Sequence, residues 1–249
     1  MLGASHGRLG NFAAATDAAL KACRIADEVR RPADIAIAYW WAGFVWEHKG
    51  DVAAALRYLE HGFHVCRASQ INYLLPILLT SLGYTYALAG RAREGIPLLE
   101  RALAFNRGAK FTYGEAWASV YLGFASLFDH RYGGMLDHAG SVLQLARKYK
   151  YRAIEVDALL LLGDVHRNPA APAREEAERY YSQACDLALE LGLRPEYARC
   201  QKALGQLLME SGRRAEAEQL IGAAAELCRR MGMVEAAIQP DRAVDLNSS

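Results

Sequence analysis

The chain has 249 residues, 53% of them apolar and 23% charged, with 29 Lys and Arg against 28 Asp and Glu. That composition excludes a disordered polymer, and a formal net charge of +1 argues against a surface built to neutralise phosphates. No apolar run approaches the roughly 20 residues of a membrane span, the opening stretch has no leader pattern, and five cysteines without paired spacing suit a reducing compartment; a soluble cytoplasmic chain is expected.

Taken in chain order, the apolar segments repeat. Each carries a Leu-Gly or Ala-Gly step, at Gly3, Gly43, Gly83, Gly123, Gly163 and Gly205, with spacings of 40, 40, 40, 40 and 42 residues. The longer step contains a two-residue insertion in the Pro-rich loop 167–173. The units fall near 1–31, 32–70, 71–110, 111–150, 151–193 and 194–232, in one domain over 1–238, and the polar tail 239–249 is expected to be disordered. The first unit starts two residues before its glycine, so most of its first helix is missing and its second helix should present an uncovered face unless preceding sequence completes it.

Each unit reads as a pair of helices. In the second unit Pro32 suits a helix start, Gly50 a left-handed stop, and Asp51 an N-cap for the helix that follows. The third unit repeats the pattern, with Pro97 a candidate kink in its second helix. The fourth departs most: His130 stands where other units place the turn glycine, and YGGMLDHAG blurs the second helix. Strand-like alternation is nearly absent.

A glycine inside a helix costs about 1 kcal/mol relative to alanine. Close approach of the paired helix offsets that cost, with Ala55, Gly62, Ala177 and Ala184 as the matching small surface. Tyr58, Leu59, Tyr181 and Ile221 are expected to fill the layer between hairpins.

These residues resemble the tetratricopeptide repeat family. The third unit supplies Leu79, Leu82-Gly83, Tyr86, Gly90, Gly95, Leu99 and Ala102; the sixth supplies Leu204-Gly205, Leu208, Gly212, Ala217, Ile221 and Ala224. The likeness covers about 1–231, and its 40-residue period is similar to the long-helix variety found in bacterial signalling proteins. Residues 158–232 further resemble the C-terminal repeat region of bacterial proteins that join a class III cyclase or regulatory domain to an ATPase. The sequence has no phosphate-loop motif and no β-rich cyclase segment. The resemblance implies an all-α, right-handed α-solenoid of about six helical hairpins whose first helices line a concave groove.

Counted from each glycine, the implied groove carries aromatic residues in units two to four: Trp40, Phe44, Tyr84, Trp117, Phe124 and Phe128. Units five and six turn polar, with Asp164, Arg167, Arg199 and Lys202. Aromatic anchors beside a polar rim suit a peptide or helix partner. The same stripe is also what packing produces, because longer helices that wind tightly would enclose Trp40, Phe44, Trp117 and Phe124. On the groove reading, Trp117→Ala with Phe124→Ala weakens partner capture and leaves helicity intact. A C-terminal carboxylate clamp does not fit, since the family's Lys and Asn positions hold Trp40 and Phe44, Thr80 and Tyr84, or Val120 and Phe124.

Catalytic chemistry finds little support. His61, His64 and Cys66 share one helix but diverge by up to about 140°, so no metal or cofactor is expected. Cys185 and Cys200 suit reduced packing, and no acid, base and nucleophile converge. The reading is a non-enzymatic interaction module, the regulatory or assembly part of a bacterial signalling protein. Its partner is a protein segment or another domain of a longer parent chain, and neither nucleic acid nor membrane. The alternative is a ligand-sensing or autoregulatory domain acting on an ATPase or cyclase module.

Overall fold

A computed structural model of the chain describes residues 7–168 and 173–234; Gly3, most of the insertion and the tail lie outside them. The described residues hold eleven α-helices and one short 3-10 turn at Asn72–Leu74. In chain order they are α1 (Phe12–Val29), α2 (Pro32–Lys49), α3 (Val52–Ala68), α4 (Leu75–Leu88), α5 (Ala92–Gly108) and α6 (Thr112–Phe128). There follow α7 (Met135–Lys148), α8 (Arg152–His166), α9 (Arg174–Glu190), α10 (Arg194–Glu210) and α11 (Arg214–Met231). Helix α1 closes the first unit, and the others form the hairpins α2/α3, α4/α5, α6/α7, α8/α9 and α10/α11. No helix among the described residues is long and apolar enough to cross a membrane.

The turns inside the hairpins follow the sequence pattern. Gly50, at φ 87°, ends α2, and the Asp51 carboxylate accepts from the Ala54 N–H at 2.9 Å to start α3. In unit four His130 adopts the same left-handed conformation at φ 58°, and α7 begins late, after Gly134. Helix α5 runs continuously through Pro97.

A second left-handed series lies between hairpins, at Arg30, Gln70, Lys110, Lys150, Gly192 and Gly232. From the second onward each precedes an apolar residue whose N–H returns five residues to a helix carbonyl: Ile71 to Cys66, Phe111 to Asn106, Tyr151 to Ala146, Leu193 to Ala188, Met233 to Cys228. This is a Schellman cap, in which the returning N–H and the apolar contact offset the strain of a left-handed Gln or Lys.

The mid-helix glycines lie where helices touch. A β-carbon on Gly83 would sit 2.8 Å from the Gly95 carbonyl oxygen, and one on Gly205 3.1 Å from that of Ala217. At Gly43 and Gly163 the intruding groups are the Leu59 side chain, at 2.4 Å, and the Tyr181 ring, at 2.3 Å. Leu59, Tyr181 and Ile221 therefore cover the glycine of their own hairpin, where the sequence pattern had put them between hairpins. Gly123 differs, meeting Leu161 of α8, because α7 is short and set back.

The solenoid returns on itself. Phe12, Ala15, Ala19, Cys23 and Ala26 of α1 join one apolar cluster with Ala42 and Val45 of α2 and with Ala224, Cys228 and Met231 of α11. The Val234 N–H donates to the Lys49 carbonyl at 3.0 Å, and Arg194 donates to the Leu9 carbonyl and to Asn11. The face of the first unit that the repeat pattern left uncovered is closed by the last hairpin.

Candidate functional site in the concave interior

Because the ends meet, the first helices enclose the concave face. Trp40, Phe44, Tyr84 and Phe124 are buried, Phe124 at 1% exposure. The Trp40 indole N–H donates to Ser81 Oγ at 2.9 Å. Tyr84 stacks on Tyr121 at 3.9 Å, and the Arg199 guanidinium lies 5.7 Å above the Phe124 ring. Trp117, half-buried, meets Trp40 and Phe44 edge-on at 6.1 and 6.3 Å.

Charged groups share this interior. Glu47 accepts from Tyr121 Oη and from Thr85 Oγ1, both at 3.0 Å, and its burial outweighs those bonds, raising its pKa to about 7. Burial likewise raises Asp157 to about 6 against the pull of Arg199 and Arg8, and lowers His48 to about 4. Asp157 lies 3.6 Å from Arg199 and 3.7 Å from Arg8, and Arg8 Nε donates to Glu196 at 3.2 Å. Arg8, ahead of α1, and helices α8 and α10 are thereby tied through one buried ionic cluster. Such a cluster is tolerated in a low-dielectric interior only when its members are mutually paired.

Two cavities flank the layer formed by Tyr121 and Asp157. The smaller, about 40 Å³, has charged groups from Glu47, His48, Glu196 and Arg199 set among Tyr84, Leu88, Pro195 and Met233, and has room for a few waters. The larger, about 260 Å³, is an aromatic cleft walled by Trp40, Trp41, Phe44, Tyr113 and Trp117, with Arg8 and Asp157 at its polar end.

The structure thus gathers Trp40, Phe44 and Trp117 into one cleft, and places Tyr84 and Arg199 at the neighbouring cavity. Phe128 packs half-buried against the main core. Asp164 is turned into its own hairpin, accepting from Tyr181 Oη at 2.6 Å. Arg167 reaches across to Glu210 and Gln206 of α10, and Lys202 is half-buried on α10. Arg8, Trp41, Tyr121 and Glu196 were not among the expected groove residues. Trp41 and Tyr121 both stand two residues before their unit's glycine, a position that tight winding rotates inward. Arg8 stands five residues after Gly3, the offset already assigned to the groove in other units.

No protein-family profile and no curated protein matches the chain by sequence. Among solved structures, it is similar to a Rap protein complexed with competence and sporulation factor, with a TM-score of 0.68 at 13% identity, covering 80% of this chain and 54% of that one. It is also similar to the Rap conjugation gene regulator of the plasmid pLS20 in complex with the Phr* peptide, with a TM-score of 0.66 at 17% identity, covering 79% and 54%. A third is the kinesin light chain TPR-like repeat protein of Podosopora anserina, with a TM-score of 0.52 at 17% identity, covering 80% and 96%. The chain spans about half the length of the two Rap proteins. Its fold is that of a tetratricopeptide-like α-solenoid.

Proposed function

We propose that this chain is a non-catalytic protein-interaction module that receives a segment of a partner protein on its concave face. The observation that carries the reading is the aromatic cleft of about 260 Å³ beside a paired cation and anion. A pocket with apolar walls and a few fixed polar groups anchors one bulky side chain and orients what is attached to it. Trp40, Phe44 and Trp117 supply the anchor site, with Arg167, Arg199 and Lys202 setting register towards the polar half. Two structurally similar Rap proteins were solved in complex with competence and sporulation factor or with the Phr* peptide, and this analogy of fold supports the reading. The finer version, which rests on the resemblance read in the sequence of residues 158–232, makes the chain the regulatory or assembly part of a bacterial signalling protein.

The test is selection of a random peptide library on the full chain, with affinities of selected peptides read by tryptophan emission. The expected result is a bulky apolar anchor in the selected peptides and at least a tenfold loss of affinity in Trp117→Ala, with far-UV circular dichroism unchanged. Peptides that bind Trp117→Ala and Trp41→Ala as tightly as the parent would refute the site. The ligand-sensing alternative uses the same cleft for a small molecule, and a saturable emission change on adding a metabolite, with no peptide selected, would favour it.

A further inference from the structure

Arg8 sits in the first unit, yet its guanidinium lies across the interior against α8 and α10. Nε donates to Glu196 Oε1 at 3.2 Å, and Nη2 is 3.7 Å from Asp157 Oδ2. Glu196 is 2% exposed, and its other oxygen, Oε2, is buried with no hydrogen-bond partner among the described residues. The carboxylate is thus half used, and a second donor would relieve the deficit. Around the same space the rings of Trp40 and Trp117 meet at 64°, Phe44 and Trp117 at 78°, and Trp41 and Phe44 at 88°. These rings wall an apolar approach to the end of the cleft that Arg8 and Asp157 border.

The charge balance points the same way. Asp157 and Glu196 face Arg8 and Arg199 in this part of the interior. Without Arg8, Arg199 alone would face two buried carboxylates, leaving a site that is relieved either by taking up a cation or by protonating one acid.

We propose that the Asp157 and Glu196 carboxylates behind the polar end of the aromatic cleft form a guanidinium seat, held by the chain's own Arg8 until an arginine side chain of the bound partner segment displaces it. Arginine is favoured over lysine because its planar fork can engage the Glu196 and Asp157 carboxylates at once, as Arg8 does. The second half of the proposal rests on the peptide-binding reading above; the first half does not.

Chemical rescue tests it. Arg8→Ala in the full chain should melt below the parent, and millimolar ethylguanidinium should restore the midpoint saturably and shift tryptophan emission. Neutral ethylurea should do neither, the parent should not respond, and Glu196→Gln in the Arg8→Ala background should abolish the rescue. Arg8→Met, which keeps the apolar stem, serves the same comparison if Arg8→Ala fails to fold. Arginine-bearing selected peptides should bind Arg8→Ala about tenfold tighter than the parent, and citrulline in place of that arginine should cancel the gain. No rescue, or equal rescue by ethylurea, overturns the seat even if peptides bind. Rescue without any peptide binding upholds the seat and overturns the peptide-binding reading.

Discussion

Gly95 gives the sharpest test of the packing argument. A β-carbon there would lie 2.1 Å from the Gly83 carbonyl oxygen, 3.1 Å from its carbon and 3.4 Å from the Ala87 nitrogen. All three are backbone atoms, so no side chain can swing aside, and α5 would have to back away from α4 by roughly 1 Å to restore ordinary contact. Leu79, Leu82 and Leu99, all at or below 2% exposure, pack near this crossing and would lose contact as the helices part. Overpacking of this kind costs about 1–3 kcal/mol, set against about 1 kcal/mol gained from replacing a helical glycine. Because the obstacle is backbone, the upper end applies, and Gly95→Ala should lose about 1–2 kcal/mol. Gly140 in α7 and Gly222 in α11 are the controls, since a β-carbon at either meets nothing within 4 Å. Gly140→Ala and Gly222→Ala should each gain about 0.5–1 kcal/mol. Urea titration at 222 nm would read these as midpoint shifts of opposite sign at constant slope, and in heating as about 2–4 °C per kcal/mol. If Gly95→Ala is stabilised like Gly140→Ala, the claim that glycine permits close helix approach is wrong.

Three further outcomes are expected. Glu47 has a folded pKa of about 7, above its ordinary 4.5, so the folded state holds its proton more tightly and stability falls as pH rises from about 4.5 to 7. Asp157, at about 6, acts in the same sense at lower pH, and His48, at about 4, acts oppositely below its ordinary 6.5. Glu47 thus dominates between pH 6.5 and 8, where the parent should lose about 1 kcal/mol and Glu47→Gln should be flat, as denaturant midpoints at each pH would show. Asp51→Ala removes the carboxylate that caps α3 and should cost about 1 kcal/mol, with a smaller loss in Asp51→Asn. Phe124→Ala, at a side chain 1% exposed, should cost about 3–5 kcal/mol and act through the fold, so it cannot serve as a binding probe; Trp117→Ala should cost distinctly less in the same urea titration.

The fold is largely legible because its signals are local. A glycine every forty residues, Pro32 before α2 and Asp51 before α3 each act within a turn or two, where sequence spacing and spatial spacing coincide. The Schellman caps between hairpins were harder to see, since Gln70, Lys110 and Lys150 do not announce a left-handed backbone. Their trace is the apolar residue that follows each, at Ile71, Phe111 and Tyr151. The interior was read only in part, because which face of a first helix points inward depends on the superhelical winding accumulated over six units. A small error per unit brings the position of Trp41 and Tyr121 inside and turns Asp164 towards Tyr181. Nothing local to Glu196 or Arg8 predicts that they meet, since they are 188 residues apart and joined only when the spiral returns.

That return bears on whether the aromatic stripe is core or binding surface. In an open solenoid the two readings exclude each other, because groove residues face water and core residues do not. Here the last hairpin covers α1, and the groove becomes an interior without any first helix changing its facing. Once water is excluded, each charge in the interior acts at a lower dielectric, so Arg8, Asp157, Glu196 and Arg199 hold the closure only as a paired set. The apolar half of the seam, Met231 against Gly10 and Cys228 beside α1, is indifferent to such pairing. The two halves therefore respond to different perturbations: cavity-forming changes loosen the apolar half, whereas withdrawal of one ion unbalances the polar half. Repeat proteins unfold most readily at terminal units, where each hairpin has a single neighbour. Closure gives the first and last described units a second neighbour, part of it through an ion pair that another cation could replace. A stripe enclosed in this way can be core in the free protein and binding surface in the complex, with Arg8 deciding between them.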